Sequence, residues 1–220
     1  MQETGKWRDA LNRLPSSQRG ALGLLLAFLA LVQIDSPYPE TAWLHHVPTL
    51  VAILVAPRIL ARWPMSDGAV LAILLFLALH TLGGRYTYSN VPYDAWTRAL
   101  FSGSLSEAFG WHRNHYDRLV HFGCGALFYA PVREAAMRHG RQGRAMAAAL
   151  ALGFVIAVGA LYELFEWGLT MMVAPELADD YNGQQGDPWD AQKDMAIALL
   201  GALIAAGWVW AKGGKRWPRP

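Results

Sequence analysis

Along the chain, long apolar runs alternate with shorter polar connections, and the runs have bilayer length. A helix rises about 1.5 Å per residue and the hydrocarbon core is about 30 Å thick, so a spanning helix needs roughly 20 mostly apolar residues. Six stretches meet that need, at 19–36, 42–60, 66–84, 117–136, 145–174 and 191–211. The pattern predicts an all-α, polytopic membrane protein with six transmembrane helices. They fill 19–211, between a cytoplasmic N-terminal segment, 1–18, and a cytoplasmic tail, 212–220. The first run follows Lys6, Arg8, Arg13 and Arg19, as a signal peptide would. Val32-Gln33-Ile34 ahead of Asp35 offers no small-residue cleavage pattern, so that run is read as retained.

The connection 85–116, between predicted helices three and four, is too long for a simple turn. It is rich in aromatics: Tyr86, Tyr88, Tyr93, Trp96, Phe101, Phe109 and Trp111. Trp96, Leu100, Leu105 and Phe109 recur at helical spacing against Arg98, Ser102, Ser106 and Glu107. This predicts an amphipathic helix on the outer leaflet, acting as a surface anchor or as a lid over a site.

Charge orients the chain. Positive residues are kept on the cytoplasmic side, and 14 of the 19 Lys and Arg residues fall on one side: in the two terminal segments and in the connections 58–65 and 133–144. The other side holds Arg85, Arg98, Arg113, Arg118 and Lys193, but collects Asp35, Glu40, Asp94, Glu107, Asp117, Glu176, Asp179, Asp180, Asp187, Asp190 and Asp194. Both termini are therefore expected in the cytoplasm of a bacterial inner membrane. Composition agrees, since 54% hydrophobic against 16% charged residues does not suit a water-soluble enzyme. A net charge of +2 excludes nucleic acid as a partner and leaves membrane lipid. The single Cys124 rules out an intrachain disulfide and a cysteine-built zinc site.

Ionisable groups inside spanning segments are costly and call for a partner or a purpose. His80 lies near the outer end of helix three, and His121 one turn below Asp117 in helix four. Glu163 and Glu166 come 18 to 21 residues into helix five, roughly 27 to 32 Å from its cytoplasmic start. Asp187, Asp190 and Asp194 lead into helix six from the same side. Four helices thus deliver acids and imidazoles to one layer. Asp117 with His121, Glu163 with Glu166, and Asp190 with Asp194 are three or four apart, and so share helical faces. Such a cluster needs positive charge, either a divalent metal or Arg85, Arg113 or Arg118. Simpler roles exist too. Asp187 ahead of Pro188 and Asp117 suit helix caps, His45, His46, His112 and His115 suit the interface, and Cys124 suits helix packing. The polar segment 181–187 reads as a turn or as a source of amide oxygens for a cation.

The pattern resembles the YjdF-like family of bacterial inner-membrane proteins over roughly residues 20 to 211. The likeness rests on His80-Thr81-Leu82-Gly83-Gly84-Arg85-Tyr86-Thr87-Tyr88, Tyr116-Asp117-Arg118-Leu119-Val120-His121-Phe122, Tyr162-Glu163-Leu164-Phe165-Glu166-Trp167 and Gly183-Gln184-Gln185-Gly186-Asp187-Pro188-Trp189-Asp190 with Lys193 and Asp194. A fainter likeness is to VanZ-like membrane proteins. The resemblance implies membrane location and carries no reaction.

The chemistry expected from the residues is a divalent metal held by some of His80, His121, Glu163, Glu166, Asp187, Asp190 and Asp194. Glu163, Glu166 and Asp194 are the catalytic candidates. Arg85 with Tyr86, and Arg118, would hold an anionic head group of a lipid or isoprenoid-linked envelope substrate. The alternatives are a proton- or cation-coupled transporter and a non-catalytic envelope accessory protein.

Overall fold

The protein was analysed as a computed structural model, which describes residues 2–172 and 185–213, with side chains from residue 6 onward. Among these residues the chain forms nine α-helices and no strand. They are α1 Gln2–Asn12, α2 Ser16–Leu31, α3 Pro39–Arg62, α4 Asp67–Arg85, α5 Tyr93–Phe101, α6 Leu105–Phe109, α7 Tyr116–Arg138, α8 Arg144–Met172 and α9 Asp190–Ala211. The long helices stand where the six apolar stretches predict them.

Two packed groups meet along α7. In the first, α2, α3 and α4 bury Leu22, Leu25, Leu29, Ile53, Leu60, Val70, Leu74 and Leu77 against one another. In the second, α7, α8 and α9 close around Tyr129, Ala151, Val155, Ala198 and Ala202. Tyr88, Val91, Tyr116 and Val120 join the two groups at one end. The contact between α7 and α9 is the most extensive, and it is made backbone to backbone. A Cβ at Gly125 would overlap the Ala198 carbonyl oxygen and stand 2.7 Å from the Ala202 amide nitrogen. One at Gly201 would meet the Phe122 carbonyl oxygen. Small residues at such crossings let backbones approach where the solvent is lipid.

Apolar side chains also cover the outside of the bundle. Leu24, Leu71, Leu161, Leu164, Ile204 and Trp208 are exposed, an inversion that a bilayer explains and water does not. Four helices, α3, α4, α8 and α9, are long and apolar enough to cross a membrane. Lys6–Asn12 with Ser16–Leu31, bent by 120°, adds a fifth candidate. The chain is thus a polytopic helical membrane protein. The first predicted run is shorter than expected, because α2 stops at Leu31 after 16 residues, about 24 Å of helix. The carbonyls that follow are gathered by Arg85, which donates to Val32, Ile34 (2.8 Å) and Asp35 (3.1 Å). α7 carries Asp117, Arg118, Arg133 and Glu134 and is less apolar than α3, α4, α8 and α9, as suits a helix lined by protein. It packs on α4, α8 and α9 and buries Asp117, Arg133 and Glu134.

The 85–116 connection differs from the single amphipathic helix expected. It forms two short helices broken at Ser102, whose φ of 58° is left-handed. Ser104 and Glu107 then build a capping box that starts α6. Arg98 pairs with Glu107 at 2.9 Å, and the Ser106 amide donates to Asp94 at 3.0 Å, folding the two helices onto each other.

Candidate functional site

The end of the bundle where α7 and α9 begin and α8 approaches its C-terminus holds two adjoining polar neighbourhoods. In the first, charges are paired. Arg113, just ahead of α7, donates to Asp190 at 2.6 Å and to Asp117. Arg118 reaches Asp187 at 2.8 Å and Asp190 at 3.3 Å, and Lys193 reaches Asp187 at 2.6 Å. Gln185 locks the approach by accepting from the Asn114 amide at 2.9 Å and donating to the Asn114 carbonyl at 3.1 Å. This lattice fixes the start of α7 on the start of α9. It also settles local questions of capping. Asp187 accepts from the Trp189 amide at 3.1 Å, but the helix starts at Asp190 and not at Pro188. Asp117 accepts from the adjoining Arg118 amide at 2.7 Å and is otherwise held by Arg113. Burial first, then the charges of Arg118 and Arg113, keep His115 below its ordinary range. Its ring is therefore neutral, and Nδ1 accepts from Arg118 at 3.2 Å.

One turn deeper, charges are not paired. His121 Nε2 lies 3.7 Å from Glu163 and 3.9 Å from Asp194, and the three side chains are 14%, 10% and 6% exposed. One ligand atom from each falls within 4.8 Å of the others. Glu163 Oε1 and Asp194 Oδ1 are buried with no hydrogen-bond partner, and so is Arg118 Nε, 4.0 Å from Asp194. Buried polar atoms left unpaired are rare and costly, so these ask for an occupant. Asp117, Asp190 and Asp194 also bring oxygens within 4.8 Å of one another. Two of those carboxylates already share Arg113.

His121 and Asp194 face a cavity of about 90 Å³, whose wall also includes Phe76, Tyr88, Val158, Tyr162 and Glu166. His80 lines it as well, yet both its ring nitrogens are engaged. Nε2 donates to the His45 carbonyl at 2.7 Å, which leaves Nδ1 to accept from the Tyr88 hydroxyl. His80 is thus a wall of the cavity and not within ligand range of the trio. Arg85 and Tyr86 are not brought there either. The guanidinium is committed to the end of α2, and Tyr86 packs edge-on against Trp96.

His45 and His46 correct the interfacial expectation, being only 2% and 5% exposed. His46 accepts from Gln33 at 2.6 Å and donates to the Thr81 carbonyl at 3.0 Å, where Gly84 leaves room for the ring. Tyr88 and Tyr162 were not legible as parts of one site, whereas Arg113 stands where a counter-charge was expected. The Arg113–Asp117 spacing of four was the available signal. Glu176, Asp179, Asp180 and residues 181–184 of the polar segment lie outside the described residues.

Helices of bilayer length with an apolar exterior and a buried acid and imidazole cluster define a multi-pass membrane protein. The chain belongs to the family described as Predicted membrane protein (DUF2238), whose model matches residues 17–214. It is similar to the Inner membrane protein YjdF of Escherichia coli (strain K12), 34% identical over 182 residues, which cover 82% of this chain and 83% of that protein. No solved structure matches it. The inner membrane is accordingly its location.

Proposed function

We propose that the protein is a metal-dependent membrane enzyme, with a divalent cation held by His121, Glu163 and Asp194. The observation that carries this reading is the pair of buried, unpartnered oxygens, Glu163 Oε1 and Asp194 Oδ1, on two carboxylates that both approach His121 Nε2. Nearby cations are engaged by Asp117, Asp187 and Asp190, and Arg118 comes no nearer to Asp194 than 4.0 Å. Buried carboxylates without a counter-charge take up a proton or hold a cation. One imidazole with two carboxylates suits zinc, iron or manganese. A cation there would polarise a substrate oxygen or activate water. Glu166 on the cavity wall is placed to move a proton, whereas Arg118 is held by Asp187 and Asp190.

The reading includes six spans with both termini in the cytoplasm. It is supported by helices at all six apolar stretches, by the protein-lined surroundings of α7, and by the one-sided Lys and Arg distribution. The site then faces the extracytoplasmic leaflet. A cavity walled by Phe76, Val158 and Tyr162 over a polar floor suits the reacting end of a lipid or isoprenoid-linked envelope substrate. A transporter reading has less support, because Ala151, Val155, Ala198 and Ala202, at the heart of the same helices, are 0–2% exposed and apolar.

The test is elemental analysis of protein purified without chelator, beside Glu163→Gln and His121→Ala. Stoichiometric metal in the wild type, lost in both variants, is expected. Wild-type protein that neither contains a divalent metal nor gains thermal stability from zinc, manganese or iron(II) overturns the reading.

A further inference from the structure

At the opposite end of α7, α8 and α9 lies a second polar pocket, which requires neither a metal nor catalysis. Arg133 on α7 is only 7% exposed, and its guanidinium has no hydrogen-bond or ion-pair partner among the described residues. It lines a cavity of about 380 Å³ with Tyr129, with Arg144 and Ala145 from the first turn of α8, and with Trp210 from the end of α9. No carboxylate among the described residues lines that cavity.

The neighbouring Glu134 does not supply the missing charge. Its oxygens accept from the Ser66 amide at 2.7 Å and the Ser66 hydroxyl at 2.6 Å, and Arg138 approaches at 3.4 Å. Arg133 also borders an adjoining cavity of about 490 Å³, which Glu134 and Lys212 share. Even there the carboxylate is already bound. A guanidinium with no counter-ion and little exposure favours an anion that joins it. The first turn of α8 adds its unsatisfied amides and positive dipole end, the usual cradle of an oxyanion. Guanidinium forks match phosphate bidentately. Lys212, 4.2 Å over the Trp208 ring, and the exposed Trp210 put the pocket at the depth where head groups sit.

The geometry points to a phosphate site formed by Arg133, Arg144 and the start of α8. It is filled by the head-group phosphate of an anionic phospholipid or by free phosphate. The test is thermal unfolding of the full chain in phosphatidylcholine nanodiscs, with phosphatidylglycerol added to the discs or inorganic phosphate to the buffer. Phosphatidylglycerol raising the melting temperature by several degrees assigns a lipid, and inorganic phosphate doing so alone assigns a soluble anion. In either case Arg133→Gln weakens the apparent affinity, read from the additive concentration that gives half the shift, about tenfold or more, the scale of one lost charge-assisted hydrogen bond. Arg144→Gln weakens it less and, being at an exposed position, keeps the test open if the first variant fails to fold. The proposal is overturned if neither additive stabilises the protein beyond the phosphatidylcholine control, or if both variants respond like the wild type.

Discussion

The two neighbourhoods at the acidic end are built from the same residue types, one helical turn apart, yet they solve opposite problems. Around Arg113 each carboxylate has a guanidinium or ammonium within 3.3 Å, and the outcome is a clamp between α7 and α9. Around His121 the nearest charged approaches are 3.7 to 4.0 Å, and buried oxygens stay without partners. The first arrangement is complete without a ligand, and the second is not. Acid content therefore does not distinguish structure from site. The supply of counter-charge does.

Breaking the paired side gives the largest effect. Arg113→Ala leaves Asp117 and Asp190 buried and facing each other, a loss of about 3–5 kcal/mol for a broken buried pair. Thermal unfolding in detergent should drop accordingly, and Asp190→Asn added to that variant should recover part of the loss. A melting temperature unchanged by Arg113→Ala would mean that the lattice is not what holds α9 against α7.

The unpaired side should respond the other way. Glu163→Gln removes a buried carboxylate that has no counter-ion, so metal-free protein should be as stable as wild type or slightly more so. Its affinity for the cation should fall by at least about a hundredfold, beyond the 10–100-fold seen for outer-shell changes. If metal-free Glu163→Gln is instead destabilised as much as Arg113→Ala, the carboxylate has a structural partner and the contrast between the two sides collapses.

Helix positions were legible because length and hydropathy are local properties of the chain. The convergence of His121, Glu163 and Asp194 on one layer was legible as well, since depth follows from residue count. Direction was not. His80 lies at the expected depth, but its nitrogens are taken by the His45 carbonyl and Tyr88, partners 35 and 8 residues away. Arg85 sits beside the site in sequence and serves the end of α2 in space. Periodicity likewise suggested one amphipathic helix from Trp96 to Phe109. The left-handed Ser102 and the capping box at Ser104 interrupt it, and neither disturbs the hydrophobic spacing.

A third change should disturb both neighbourhoods together. Gly125→Ala puts a methyl into the Ala198 backbone, which cannot yield as a side-chain tip would. α9 must move off α7, at a cost of about 1–3 kcal/mol for overpacking. Because Asp190 and Asp194 both ride on α9, metal affinity should fall along with the melting temperature. The same substitution at Gly207, where nothing stands within 4 Å, is the control and should change neither.

The smallest effect lies at the rim of the paired side and depends on pH. The bond from Lys193, then that from the Trp189 amide, with Arg118 adding to them, hold the Asp187 carboxyl below its ordinary 3.8, at about 2. A folded-state value below the unfolded one means that the unfolded chain takes up the proton first as acid is added. The tether therefore contributes fully above about pH 4, fades as pH falls from 3.8, and is gone below about 2. Asp187→Asn should remove that part of the acid dependence while leaving the melting temperature near neutral pH only slightly lower, because Lys193 is about half exposed and solvent screens the pair. Melting curves of wild type and variant should converge toward pH 2 and separate above pH 4. Curves that stay parallel from pH 2 to 6 would show that the charge of Asp187 takes no part in holding the clamp.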